Sequence, residues 1–414
     1  MNLIAVIILF ALLAEYLLGL VLDYLNLKTV QVELPDAFRG VYDPSLYQKS
    51  QAYLRVNTVF GRLTSTFSLL VVLGFWFSGG FQIVDSWVRS LSLGPVFTGI
   101  LYIGVILGVR VALFIPFRIY DTFAIEERFG FNKSDWRTFI KDGLKAVGLS
   151  LVLGIPVLST ILLFFEVADS HAWWLCWIAV CAYAFAAQYV VPTWIMPLFN
   201  RFEPLEEGEL RSAIQNCAEA AGFPLRNVYM MDGSRRSSKA NAFFAGFGKH
   251  KRIVLFDTLV ASHTIPELVG ILAHEMGHDL LRHNRQNLLL AWAEMGVMLY
   301  LLSLFVSRQA LFDAFFVAQP SVYAGLLLFG MLYEPIAFAA GIGVMLMSRK
   351  NEYDADRFAV ETTGDPSVLS SALKKLSANN LTNLLPHPWY AFFHYTHPPI
   401  LQRLQAIEGR HNGS

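Results

Sequence analysis

Seven unbroken runs of mostly apolar residues govern what this chain can fold into: 2–22, 64–84, 91–117, 146–165, 172–199, 287–306 and 321–347. A helix of roughly 20 apolar residues crosses the hydrocarbon core of a bilayer, and each run has that length. Composition agrees, because 15% of the 414 residues are charged, whereas a soluble domain carries about 25%. The expected fold class is therefore a multi-pass α-helical membrane protein. The first run lacks a basic n-region, holds Glu15 near its centre and has no clear small-x-small cleavage site, so it reads as a span and not as a signal peptide.

The basic residues sort by connection. Lys and Arg number five in 23–63, one in 85–90, six in 118–145, none in 166–171, eleven in 200–286, one in 307–320 and seven after Met347. Basic connections stay on the cytoplasmic side. The N-terminus is thus expected outside, and the three long connections and the C-terminus inside. The formal net charge of zero excludes the global basic field that nucleic-acid binders use. Cys176, Cys181 and Cys217 suggest neither a disulfide framework nor a thiolate metal cluster and read as buried small hydrophobes.

Two regions lie outside the apolar runs, 200–286 and 348–414. The first reads as a helix over 205–221 that stops at Gly222-Phe223-Pro224. Strands follow over 227–231, 241–247 and 252–256, the last two around a turn at Gly248. A helix over 264–283 comes next, with Pro266 in its first turn and Glu267 at the positive end of its dipole. The chain accordingly divides into 1–199 with five spans, 200–286 as a soluble segment, 287–347 with two spans, and 348–414 completing a small α+β unit.

Within the last helix stands His274-Glu275-Met276-Gly277-His278. Histidines at i and i+4 share one helical face and can bind one zinc ion, and the intervening Glu275 is placed to move a proton to and from water that the metal acidifies. Catalytic zinc commonly has three protein ligands plus water. His283 lies five residues past His278, which on a continuous helix turns it about 140° away. Beyond two further spans, Glu352 and Asp356 share a helical face; Glu352 could ligate the metal while Asp356 orients a ligand histidine, as zinc sites require.

At these residues the sequence resembles the type I CAAX prenyl protease family, integral-membrane zinc metalloproteases that process a-factor and prelamin A precursors. The resemblance extends to 121–133 (DTFAIEERFGFNK), 197–202 (PLFNRF), 237–244 (SSKANAFF), 348–356 (SRKNEYDAD), and Thr396-His397-Pro398-Pro399 with Arg403. It implies seven helices around a large water-filled chamber, with a zinc site on the cytosolic rim. It also implies one zinc per chain held by His274, His278 and Glu352, with Glu275 as base and acid, and a strand at Asn241 and Ala242 that takes the substrate backbone by strand addition. His397 is either a hydrogen-bond donor to the oxyanion or part of a rigid turn before two prolines. Arg403 is expected to brace Glu352 or Asp356 by an ion pair.

The expected function is a membrane zinc metalloendopeptidase cleaving CAAX-type peptides, with or without a prenyl group. The alternatives are a quality-control protease for unfolded or translocon-blocking proteins, and a seven-span transporter or scaffold with structural zinc. A bacterial inner membrane is the expected location, or the ER membrane in a eukaryote. Partners are a peptide or protein substrate and the lipid bilayer, with no nucleic acid. Among charges inside the runs, Glu294 and Glu334 are expected to face a cavity or a partner, and Glu15 and Arg110 to snorkel or pair between helices. His171, His250, His263, His387, His394 and His411 have no ligand spacing and are expected at the surface or the interface.

Overall fold

The computed structural model describes residues 1–30, 33–168, 171–225, 227–245 and 252–409. In chain order the elements are α1 (Leu3–Lys28), α2 (Pro44–Phe77), α3 (Gly80–Ser90), α4 (Pro95–Tyr120) with a π-helical extension (Asp121–Glu126), α5 (Trp136–Val167), and α6 (Ala172–Val190), which widens over Val191–Ile195 into α7 (Met196–Phe199). Then come β1 (Phe202–Pro204), α8 (Glu209–Ala220), β2 (Asn227–Met231), β3 (Ala242–Ala245), β4 (Arg252–Phe256), α9 (Asp257–Ser262) and α10 (Ile265–Leu280). The chain continues through α11 (His283–Phe305), α12 (Gln309–Asp313), α13 (Val322–Thr363), α14 (Pro366–Asn379), α15 (Pro388–His394) and α16 (Ile400–Gly409).

Seven of these helices are long and apolar enough to cross a membrane: α1, α2, α4, α5, α6 with its extension, α11 and α13. Their outward faces expose residues that water would not tolerate in number, such as Phe10 at 73% and Val152 at 69%. Lipid is the solvent that matches them. The second run does not form one helix. Gly79, at φ 73°, breaks it, and the rest of that run starts the separate helix α3.

The helices overshoot their apolar runs at the end carrying the basic connections. There α2 begins at Pro44 although its run starts at 64, and α13 continues to Thr363 although its run ends at 347. At the other end the segment after α11 folds inward. Leu311, Phe312 and Phe315 are fully buried beside Trp76 and Phe81, the Trp76 and Phe315 rings stack at 4.7 Å, and the Trp76 indole donates to the Ala314 carbonyl at 2.8 Å. Buried Asp85 pairs with Arg89 at 2.7 Å and accepts from the Tyr323 hydroxyl at 2.7 Å. This end of the bundle is closed.

Between the ends, a cavity of about 740 Å³ is lined by residues of α1, α2, α4 and α13, with Glu15, Arg110 and Glu334 among them. Glu15 and Arg110 therefore line this cavity, contrary to the expectation of snorkelling or pairing, because α1, α2, α4 and α13 all turn residues toward one space at that level. Glu294 does not line it. His394 does, so it is no ordinary surface histidine. His263 is also misread as superficial: it is buried, its Nδ1 3.1 Å from the Leu259 carbonyl and its Nε2 3.3 Å from that of Ala372.

At the basic end the strands form one sheet in the order β1-β2-β4-β3, with β2 and β4 parallel and the outer pairs antiparallel. The three-residue strand β1 gave no sequence signal, being short and ending in proline. Helix α8 starts four residues later than expected, after Pro204 and Gly208. Residues 246–247 of the expected second strand, the turn at Gly248, His250 and His411 lie outside the described residues. One core joins Ile214, Ile253, Leu255, Leu268 and Met276 to Ala372 of α14, and a second joins Ala273, Ala359 and Leu404 to Phe38, Tyr42 and Tyr47 of the segment around the start of α2. Pieces far apart in sequence thus share one interior.

Candidate metal centre

Helix α10 is fixed at its start by a capping box: Glu267 reaches back to accept from the Thr264 N–H at 2.8 Å. The same carboxylate accepts from Ser371 at 2.6 Å and pairs with Lys375 at 2.8 Å, both on α14. Burial pushes the Glu267 carboxyl up, but these partners outweigh it and hold it at about 2. Further along, a Cβ on Gly277 would stand 3.0 Å from the Phe358 ring. The glycine inside the HEMGH segment therefore permits the close approach of α13 that brings Glu352 and Asp356 to the histidines.

Nε2 of His274 and Nε2 of His278 are 3.1 Å apart, and Glu352 stands 3.4 Å from the first through Oε2 and 3.2 Å from the second through Oε1. Two donors about 2.0–2.1 Å from one tetrahedral ion are roughly 3.3–3.4 Å apart, which is the size of this triangle. His274 Nδ1 lies 2.9 Å from Asp356 Oδ1; a hydrogen on that nitrogen leaves the Nε2 lone pair facing inward. Three lone-pair donors aimed at one point repel each other unless a cation lies between them. The residues fit a zinc ion, and His274, His278 and Glu352 are a group of donors able to hold one.

Behind the triangle, buried Arg403 donates to Asp356 through Nε at 2.8 Å and Nη2 at 2.6 Å, and its Nη1 is 3.2 Å from Glu352 Oε2. One guanidinium therefore braces both carboxylates. Asp356 is 2% exposed and Glu352 4%, so neither could remain charged there without partners.

In front lies a cleft of about 530 Å³, lined by Glu275, His397, and residues 241–244 of the β3 region. Burial pushes the Glu275 carboxyl above its ordinary value, with His274 and His278 opposing. His397 points Nε2 at Glu352 Oε1 from 3.3 Å, while its Nδ1 is 2.9 Å from the Thr396 hydroxyl. It also immediately precedes the two prolines that lead into α16, so geometry is compatible with both readings of this residue.

Strand β3 pairs with β4 along one edge only. The Phe256 N–H donates to the Asn241 carbonyl at 3.1 Å, and in an antiparallel ladder the bonded pairs alternate. In the register Ala242 to Leu255 and Phe244 to Ile253, the main-chain groups of Ala242 and Phe244 then face away from β4, toward the cleft.

Of two further participants, the sequence alone sets His283 aside and gives Arg349 no role. Helix α10 stops at Leu280, and Arg282 takes a left-handed φ of 63°, so His283 begins α11 instead of ending α10. That reversal returns its Nδ1 to 3.0 Å from His278 Nδ1, correcting the expectation that it points away. Nothing in the sequence around Arg282 marks the reversal. Arg349, one helical turn before Glu352, has Nη1 within 3.2 Å of the Ala391 and Phe392 carbonyls and 2.6 Å from that of Tyr395. It ties the segment bearing His397 to α13; its place in the 348–356 segment was the available signal.

Known proteins match this arrangement along the whole chain. Residues 23–201 match the family described as CAAX prenyl protease N-terminal, five membrane helices, and residues 204–411 match peptidase family M48. A probable CAAX prenyl protease 1 of Schizosaccharomyces pombe is 35% identical over 88% of this chain and 80% of its own. A CAAX prenyl protease 1 homologue of Arabidopsis thaliana is 33% identical over 95% of each. Among solved structures, that of Ste24p from S. mikatae superposes with a TM-score of 0.90 at 30% identity, covering 98% of this chain and 99% of the other.

Proposed function

The chain belongs to peptidase family M48, with the N-terminal membrane region of the CAAX prenyl proteases, and we propose that it is a membrane metalloendopeptidase acting through one zinc ion held by His274, His278 and Glu352 on CAAX-type peptides. The observation that carries the reading is the donor triangle of 3.1, 3.2 and 3.4 Å. The donor set has two nitrogens and one carboxylate, a combination found in catalytic zinc sites, whereas structural sites are closed by four protein ligands.

When bound, zinc supplies Lewis-acid activation of water and of the scissile carbonyl. The protein's own groups do the rest. Glu275, raised by burial, takes the proton of the attacking water and passes it to the leaving amine. Asp356 keeps the Nδ1 hydrogen of His274 in place, and Arg403 balances the two acidic side chains. The Thr396 hydroxyl occupies Nδ1 of His397, which leaves Nε2 as the donor toward the oxyanion. Ala242, whose N–H donates to the Asn241 side-chain oxygen at 2.9 Å, offers its carbonyl to an extended substrate, a mode that accepts varied side chains. In this reading the basic end, and the site with it, faces the cytoplasm, and segments 200–286 and 348–414 together make the protease unit.

The test compares cleavage of one CAAX peptide with and without a farnesyl group, with o-phenanthroline as control. Chelator-sensitive cleavage of the farnesylated form alone supports the prenyl reading. Equal cleavage of both removes the prenyl requirement, and insensitivity to the chelator removes the metal.

A further inference from the structure

Two of the segments that stood out in the sequence, 121–133 and 237–244, meet in space. The main chain leading into β3 is held at almost every residue. The Lys133 N–H donates to the Arg236 carbonyl at 3.0 Å, the Ser238 N–H to the Phe131 carbonyl at 3.1 Å, and the Ser238 hydroxyl to the Gly130 carbonyl at 2.9 Å. Asn380 holds Ala240 from both sides, accepting from its N–H at 3.0 Å and donating to its carbonyl at 3.1 Å. The Thr258 hydroxyl donates to the Lys239 carbonyl at 2.9 Å.

Two side chains in this stretch tie it to the membrane helices: Arg236 donates to Asp142 of α5 at 2.7 and 3.0 Å, and Lys239 reaches α2 and the extension of α4. The Lys239 ammonium lies 2.8 Å from Glu126 Oε2 and 3.0 Å from the Tyr53 hydroxyl, and 4.5 Å above the Phe131 ring. The Tyr53 hydroxyl in turn donates to Glu126 Oε1. Glu126 ends the π-helical extension of α4, whose wider turn departs from α-helical register; such bulges are frequent at functional sites. Tyr53 belongs to the part of α2 that overshoots its apolar run. Burial alone would lower the Lys239 ammonium, but Glu126 and Tyr53 hold it above its ordinary value.

We infer that Tyr53, Glu126 and Lys239 form a positioning clamp that sets the edge of β3 against the metal centre, so that α2 and α4 fix where a substrate backbone can dock. None of the three touches the donor triangle; they act through the strand. The inference rests on strand addition at β3, and it predicts a defect in binding with chemistry intact. It also makes Lys239 a charge-specific residue, because a packing role would be served equally by an apolar side chain of similar length.

The experiment measures kcat and KM for the better cleaved of the farnesylated and unmodified peptides, and for analogues in which each backbone N–H in turn is replaced by an ester oxygen. In the wild type at least one ester raises KM by about ten-fold, the loss of one hydrogen bond. In Lys239→Met, KM for the peptide rises by about ten-fold, the sensitive ester no longer differs from the amide by more than about two-fold, and kcat changes by less than about two-fold. Glu126→Lys combined with Lys239→Glu recovers most of the discrimination. Zinc content and melting temperature, read on the same preparations, report folding. Unchanged KM and unchanged ester discrimination in Lys239→Met overturn the clamp while leaving strand addition standing. A wild type indifferent to every ester removes strand addition, and the clamp falls with it. A loss of kcat at constant KM, or a folded double variant without recovery, also overturns the clamp.

Discussion

Two clusters of charged groups in this molecule treat their charge in opposite ways. At the metal centre His274, His278, Glu352 and Asp356 each have a partner within 3.4 Å, and Arg403 spans both Glu352 and Asp356. In the cavity between the membrane helices, Glu15, Arg110 and Glu334 line about 740 Å³, and among the described residues none of the three has an ion-pair partner within 4.0 Å. A tight cluster is preorganised for one small cation. A roomy one keeps its charges out of contact with one another. The difference teaches that charge within a membrane protein is not by itself a site; convergence of donors within one coordination sphere is.

The sharpest way to break the comparison is Glu275→Gln, which keeps the donor triangle and removes the proton carrier. Cleavage should fall by about 10³-fold or more with zinc content, measured by metal analysis, unchanged. Activity that survives would remove Glu275 from the chemistry. Replacing His397 by Ala should lower kcat by about 10²-fold, again with zinc retained; an unaltered kcat would leave it the turn role only. Asp356→Ala should weaken zinc binding by about 10–100-fold, read by competition with a chelator, because His274 loses its orienting acceptor and Arg403 half its counter-charge. By contrast Arg110→Gln and Glu334→Gln should move zinc affinity by less than about two-fold, since these residues belong to the other cluster.

Acid gives a subtler test. Glu267 titrates at about 2 in the folded protein, below its unfolded value. Its stabilisation is therefore complete above the ordinary carboxylate range and is lost as pH falls from about 4.3 toward 2. Glu267→Gln should flatten the fall in melting temperature over that window, compared with the wild type in the same detergent. A variant that melts in parallel with the wild type across the window would contradict the assignment.

Much of this was legible in sequence because it depends on spacing within one element. His274 with His278, and Glu352 with Asp356, each share a helical face, and apolar runs of bilayer length announce themselves. What was not legible depends on contact across the chain. No local signal at Arg282 foretells the left-handed residue that turns His283 back onto His278. Glu15 and Arg110 face a cavity only because four helices distant in sequence enclose one space there. Strand β1 is held by its pairing with β2 and has no strand pattern of its own. The roles of Tyr53 and Lys239 require knowing that residues 186 positions apart touch.

Helix α13 carries the third donor on the far side of two membrane crossings from the other two. During synthesis, therefore, the HEMGH helix leaves the ribosome 74 residues ahead of Glu352, with Arg403 later still. On the proposed ligand set, a nascent chain bearing only His274 and His278 has two of the three donors and would hold a metal weakly. If that set is the catalytic one, hydrolytic competence comes late, after the last span has been made, and a chain cut short before Glu352 should be inert.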